Sequence, residues 1–592
     1  MGYMPQAHIR THFSIAILLV GMVLLPLTTH ADPVADVQGL ADAGAINLAV
    51  RVLDREQSAA NNNPDLWQKF ERQRIALYRL RHDWQQISTH LASLPNAASA
   101  EFVQWAKTQR AEALVEQGRG QTARMELRQL IWSVQANDTQ QIAEWRRLII
   151  RSYLQDGLAT DAQTAVLRFQ QDYPEHAEQD YLLRARIALL NQNYAEATEL
   201  LKPHADDPTA GALLLLTQLR GQARPSRKVL QATYRHLREK GIDNEMKANL
   251  WAVASEAAER TGNRGSVTTA LEQVMVYRRD LSLPKSIIDP TVDDLWNAYI
   301  DYAVEISNRQ ELLIGQDEQW LALADKIKMK RPVAARSLYA FVMLRGQQTA
   351  SRNRAAQAFI ELNNLHKQRK NLLQTLFSDH KYFKHRSDIP EPVRHKLVDL
   401  ALASGNIDLA SEMMATIKKP PVGQDQFMWW LRRARILVLG NQIKLGTQAL
   451  NTLLDAHPKL EQLQLDRFMQ VIFDLQTAGE NEAAYDLFAK LIKHTEDQKT
   501  QREIYYWMAD SRKAQERYVE AAQLYLKSAM FPDPTSMDPW AQTAHYQAAV
   551  VLAKAGLYQD AHNLLEQLLK VTQDPQRREA LQRELQKMWA MQ

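Results

Sequence analysis

One phrase of residue types, returning at a near-constant step, constrains this chain more than any other feature. Between Trp145 and Pro174 the sequence sets Trp145, Ile150 and Tyr153, then Gly157, then Ala162, Val166 and Phe169, and closes on Pro174. Gly157 can take the left-handed conformation that ends a helix. Ala162 is small enough for a second helix to lie close against the first, and Pro174 prevents that helix from continuing. The phrase therefore predicts a helix, a tight turn, a second helix and a stop. It returns at Ala185, Ala188, Tyr194, Ala197 and Leu201, and at Trp251, Ala258, Gly262, Leu271 and Val274. Later copies run through Ala401, Gly405, Ala410 and Met414, and through Phe468, Leu475, Gly479, Ala484, Phe488 and Leu491. The last two are Tyr518, Ala521 and Tyr525, then Ala549, Leu552, Gly556, Tyr558, Ala561, Leu565 and Leu568. A fainter copy precedes them all at Ala111, Leu114, Gly118, Ala123, Leu127 and Leu130.

The step is about 35 residues from Ala162 to Ala197 and about 40 from Ala521 to Ala561, near the 34-residue period of tetratricopeptide repeats. In these residues the chain resembles that family, over roughly residues 100 to 280 and 390 to 575. One copy is unspecific, because glycine followed by alanine is common in helical hairpins, whereas a series of them is not. The resemblance implies an all-α fold, an α-solenoid in which antiparallel helix pairs wind into a right-handed superhelix. It further implies a concave face formed by the first helix of each pair, peptide or protein binding on that face, and no catalysis.

Length agrees with a solenoid: 592 residues exceed one ordinary core, whereas a stack adds buried surface with every hairpin. The few breakers, 20 Gly and 21 Pro, favour helix. Five segments follow. Residues 1–31 read as a cleaved signal peptide, 32–100 as an N-terminal helical cap, and 101–281 as a first repeat array. Residues 282–390 read as an irregular helical, basic middle, with Pro284 and Pro290 before a helix carrying Trp296, Tyr299 and Tyr302 and another helix around Trp320. Residues 391–592 read as a second array ending in an amphipathic capping helix from Pro575.

The signal-peptide reading rests on His8, Arg10 and His12 ahead of an apolar run from Phe13 to Leu27, followed by Thr29, His30 and Ala31, with cleavage after Ala31. That run contains Pro26 and falls short of the ~20 residues that cross a bilayer as helix. The expected location is periplasmic, with no transmembrane segment after cleavage. Cysteine is absent, which excludes disulfide frameworks, thiolate metal sites, cysteine nucleophiles and lipid attachment to an N-terminal cysteine.

Net charge is only +4, but it is unevenly placed. From Lys326 to Arg386 there are 14 Lys and Arg against Glu361 and Asp379 alone, a local net of +12. Such a field steers an anionic partner. Export argues against nucleic acid and leaves an acidic protein segment, a lipid headgroup or an acidic glycan; a solvated face spread over several helices is the competing reading. Within the stretch Arg336, Arg345, Arg352 and Arg354 are the expected partner-binding residues, because a guanidinium holds a carboxylate or phosphate through two hydrogen bonds. Exchanging all four for Glu is expected to abolish partner capture with thermal stability nearly unchanged. His366, His380 and His385 lie nearby without an assigned role.

No metal-ligand spacing occurs among the 16 histidines, and no phosphate loop or nucleophile elbow is present; the glycines of 440–446 fall where a hairpin turn is due. No catalytic, cofactor or metal residue is therefore expected. Trp429 and Trp430, and Tyr505, Tyr506 and Trp507, fall on first helices, where rings fill the groove between repeats or form a stacking shelf for a ligand. The expected function is a periplasmic scaffold, not an enzyme, that holds a protein or peptide partner in the cell envelope. The alternative is a glycan-binding cell-wall enzyme or the regulatory subunit of a cell-wall or polysaccharide machinery.

Overall fold

The computed structural model describes residues 63–133, 139–176, 179–310, 312–364, 370–378, 382–421, 423–533, 535 and 537–589, with 37–38, 49–50, 52–54 and 57 before them. The signal peptide and much of the expected cap lie outside these residues, as do His366, Lys367, Arg369, Asp379, His380 and Lys381. Among the described residues every regular element is helical, and no helix is long and apolar enough to cross a membrane.

The chain divides into two compact units, residues 1–203 with 284–287, and 204–283 with 288–592. The first holds α1 (Pro64–Leu80), α2 (Trp84–His90), α3 (Ala100–Glu116), α4 (Gly120–Ser133), α5 (Thr139–Gln155), α6 (Ala159–Asp172), α7 (Tyr181–Leu190) and α8 (Tyr194–Leu201). Each of α3 to α7 packs on the next helix, and the first helices α3, α5 and α7 also pack on one another. Ser286 donates to the carbonyl of Leu154, fixing the segment 284–287 to this unit.

The second unit opens with α9 (Pro208–Arg220), α10 (Ser226–His236), α11 (Asn244–Arg260) and α12 (Arg264–Val276). Its middle is α13 (Val292–Gln310), α14 (Asp317–Ile327), α15 (Pro332–Arg345), α16 (Thr349–Asn364) and α17 (Lys370–Ser378). Here the stacking changes, because α12 packs on α13, α15 and α17 alike. The cause is aromatic: fully buried Trp296 sits 5.6 Å from Phe377, 5.8 Å from Phe383 and 6.0 Å from Tyr299, ring to ring, and its indole N–H donates to Leu376 O at 3.2 Å.

Regular pairs resume with α18 (Glu391–Ala403), α19 (Ile407–Ala415), α20 (Gln426–Leu439), α21 (Ile443–Ala456), α22 (Gln462–Thr477) and α23 (Asn481–Leu491). They continue through α24 (Gln498–Ala514), α25 (Tyr518–Met530), α26 (Pro539–Lys554), α27 (Tyr558–Val571) and α28 (Pro575–Trp589). The last helix buries Leu581 against the core of the final hairpins, with Leu585 beside it.

The hairpin turns explain why the pattern was legible. Six first helices end on a glycine in the left-handed conformation: Gly118, Gly157, Gly262, Gly405, Gly479 and Gly556, with φ between +69° and +84°. The residue after it donates its N–H five residues back, as Leu158 does to Tyr153, Glu480 to Leu475 and Leu557 to Leu552, so the last carbonyls of the helix find partners. Five residues beyond five of these turns stands an alanine with no exposed surface, Ala123, Ala162, Ala410, Ala484 and Ala561, where the second helix crosses closest. Gly446 has this role in α21, and a Cβ there would come within 2.7 Å of Val438.

Ion pairs connect neighbouring hairpins at the same period. Arg79 meets Glu112, Arg147 meets Asp180 and Arg151 meets Glu116; in the second unit Arg220 meets Glu256, Arg432 meets Asp399 and Arg502 meets Asp538. The partners are 33 to 36 residues apart. Most are partly exposed, and pairs of that kind contribute about 0–1 kcal/mol each. They set which charges face which more than they set stability.

Candidate functional site

Among the described residues the basic middle does not assemble into one site, because its cations fall into separate environments. Arg336 is the clearest correction to the sequence reading: it is 1% exposed and cannot meet a partner at the surface. Its guanidinium grips the fully buried Glu272 of α12 with two hydrogen bonds, at 2.7 and 2.6 Å, and Tyr299 of α13 donates to the same carboxylate at 2.8 Å. Burial alone would lower the pKa of Arg336, but the facing carboxylate and Tyr299 raise it above its ordinary value. Exchange for Glu would set two buried carboxylates together, so the expectation of unchanged stability falls with it.

The other three arginines go to different places. Arg352 is half-buried and donates to the carbonyl of Met343 at 2.9 Å, near the C-terminus of α15. Arg354 is exposed and bridges Glu318 at 2.8 Å and Asp325 at 3.0 Å, both on α14. Burial pushes the Asp325 carboxyl up, yet hydrogen bonds from Tyr339, Lys328 and Arg354 bring it below the usual carboxylate range. Arg345 is exposed at the end of α15. Fourteen residues of helix at about 1.5 Å each part it from the basic turn at the other end. The acids that answer this stretch, Glu272, Glu318 and Asp325, precede Lys326 in sequence, which is why an interval count overstated the free charge. The signal for Arg336 lay in α15 itself, whose Ala334, Ala335, Leu338, Tyr339 and Ala340 are all buried; a helix apolar on all sides is a core helix.

The rings of the second array fill the joins between repeats. Trp429 is buried, and its ring centre is 5.1 Å from that of Trp430. Phe473 lies 4.9 Å from Trp507, and Tyr506 lies 5.1 Å from Tyr525 and 5.3 Å from Trp540. Burial and the nearby Asp510 carboxylate push the Tyr506 hydroxyl up to about 12. These contacts carry the series of first helices α22, α24 and α26 side by side, and α20 packs on α22.

Along that series the outer side chains are mostly polar, with Leu439 and Leu463 exposed among them. Arg432 and Arg435 are exposed on α20, Arg467 and Gln470 on α22, and Thr543 on α26. Trp507 and Gln547 are partly exposed beside them, and Asp474 is largely buried between them. Arg435 reaches Asp474 at 2.8 Å, and Gln476 donates to the carbonyl of Trp507 and the hydroxyl of Ser511. The result is a continuous face of mixed charge with amide and indole groups, able to bind a polypeptide through side-chain and backbone hydrogen bonds. Sequence reasoning named none of these polar residues, since nothing local separates an outer arginine from one turned to a neighbouring repeat.

No protein-family model matches the chain, and no curated protein matches it. Solved structures similar to it include the APC/C hetero-tetramer Cut9–Hcn1, at 11% identity and a TM-score of 0.24, covering 93% of this chain and 95% of that one. Yeast Tom70 is similar at 10% identity and a TM-score of 0.22, covering 94% and 95%. Naa15/Naa10 bound to HypK-THB is similar at 11% and 0.22, covering 94% and 99%. The hairpin assignment rests on this chain's own turns and packing, and in period, left-handed turn residue and buried small residue its hairpins are similar to tetratricopeptide repeats.

Proposed function

We propose that this protein is an exported, periplasmic scaffold that holds a partner protein or peptide along the first helices α20, α22, α24 and α26. The observation that carries the reading is the continuous outer face of those helices, with exposed Arg432, Arg435, Arg467 and Gln470 beside partly exposed Trp507 and Gln547. A ligand segment, extended or helical, lies across several repeats, and each repeat adds a few hydrogen bonds and some desolvated aromatic surface. Affinity then accumulates with the number of repeats covered. Export follows from the apolar run of residues 13–27 with its basic flank and the small residues before Asp32.

The test places a photo-crosslinking amino acid at Gln470, on the first-helix face, or at Asp486, exposed on the second helix α23. Periplasmic fractions are then compared by mass spectrometry. One defined adduct from position 470, several-fold above that from 486, is the expected result. Equal yields from both positions, or a protein retained in the cytoplasm, would sink the reading.

A further inference from the structure

The turn joining α14 to α15 combines features found together at no other hairpin described above. Lys326, Lys328, Lys330 and Arg331 occupy four of six consecutive positions; Lys326, Lys330 and Arg331 are exposed, and Lys328 is half-exposed. Between them Met329 holds its side chain 80% exposed. Arg331 donates to the hydroxyl of Tyr302 at 3.0 Å, and Lys328 reaches Asp325 at 3.2 Å. Asp325 also accepts from Tyr339 and Arg354, so its charge is shared rather than matched to this turn. Arg264 and Asp301 pair with each other at 3.0 Å and add no net charge. The patch is therefore net positive, and its apolar centre is carried outward on a turn rather than lining a groove.

We propose that this turn docks the protein onto an anionic phospholipid surface. A bilayer interface suits both parts of the patch: phosphate and carboxylate headgroups meet the four cations, and the unbranched Met329 side chain enters the boundary between headgroup and acyl chain. An acidic peptide would need a groove to desolvate its backbone and would gain nothing from an exposed thioether. Four cations and one methionine give weak, reversible attachment, which suits a peripheral scaffold. The proposal stands on the turn alone and is independent of the first-helix face.

The experiment uses residues 32–592 and vesicles of phosphatidylcholine with or without phosphatidylglycerol, read by co-sedimentation. Binding is expected to the anionic vesicles and to fall steeply as salt rises. Each neutralised cation lowers affinity about fivefold, so K326Q/K330Q/R331Q loses about a hundredfold. The charge-matched K418Q/K419Q/K444Q, altered at exposed lysines elsewhere, keeps wild-type binding. Because the chain has no cysteine, Met329→Cys takes a single environment-sensitive dye, and its emission shifts to the blue on anionic vesicles. Failure of wild type to bind those vesicles, an equal loss in the lysine control, or a dye unmoved by vesicles but shifted by poly-glutamate overturns the proposal. Melting temperatures of the exposed-residue variants should match wild type, which separates loss of binding from loss of fold.

Discussion

Arg336 and Glu272 illustrate how much one buried pair can decide. Both side chains are essentially out of water, and removing one leaves the other as an uncompensated buried charge. Arg336→Met should therefore cost about 3–5 kcal/mol, read as a fall in the urea midpoint of the unit that contains it. The double change E272L/R336M should cost markedly less, because no charge is then left unpaired; equal losses would mean that the pair does not act as a unit. His395 gives the corresponding pH effect. Its ring packs against Trp429 at 6.1 Å, and burial lowers its pKa below the ordinary 6.5, with Glu391 only partly opposing. The unfolded chain thus takes up the proton first as pH falls through about 6.5, and stability declines from pH 7 towards pH 5. Replacement by Gln should flatten that part of the pH–stability curve, and an unchanged slope would remove His395 from the account.

At the scale of the element, the turn matters more than the helices it joins. Glycine at the left-handed position was readable as punctuation, but the same position is held by His82, Gln192, Gln222, Asn441 and Glu516, with φ between +53° and +61°. Those hairpins were partly hidden in the sequence because a side chain there pays a steric penalty that tertiary packing covers. Glu516→Gly should accordingly stabilise the α24–α25 hairpin by roughly 1 kcal/mol, seen as slower amide exchange in those two helices. Faster exchange would show that Glu516 makes a contact worth more than its strain. The small residue five positions on survived as a signal even where glycine did not, as Ala197 and Ala521 show with no exposed surface, since close helix crossing admits little else.

Across the molecule, the period carried the fold and long-range pairing carried the surface. The repeat of turn and small residue is local, confined to a few residues of each hairpin, so the sequence by itself determined that this chain is a series of helix pairs and where most of them bend. It also determined the absence of every chemistry that needs cysteine. Which cations are free was decided by the tertiary structure: Arg336 went to Glu272, 64 residues away, and Arg354 to Glu318, 36 away, while among the described residues the turn at Met329 keeps exposed cations. The middle segment departs from the stack because Trp296 gathers Phe377 and Phe383 from some 80 residues downstream. Helix formation answers to neighbours within a turn or two, whereas charge pairing and aromatic burial answer to whatever folding brings alongside, and only the folded chain fixes that.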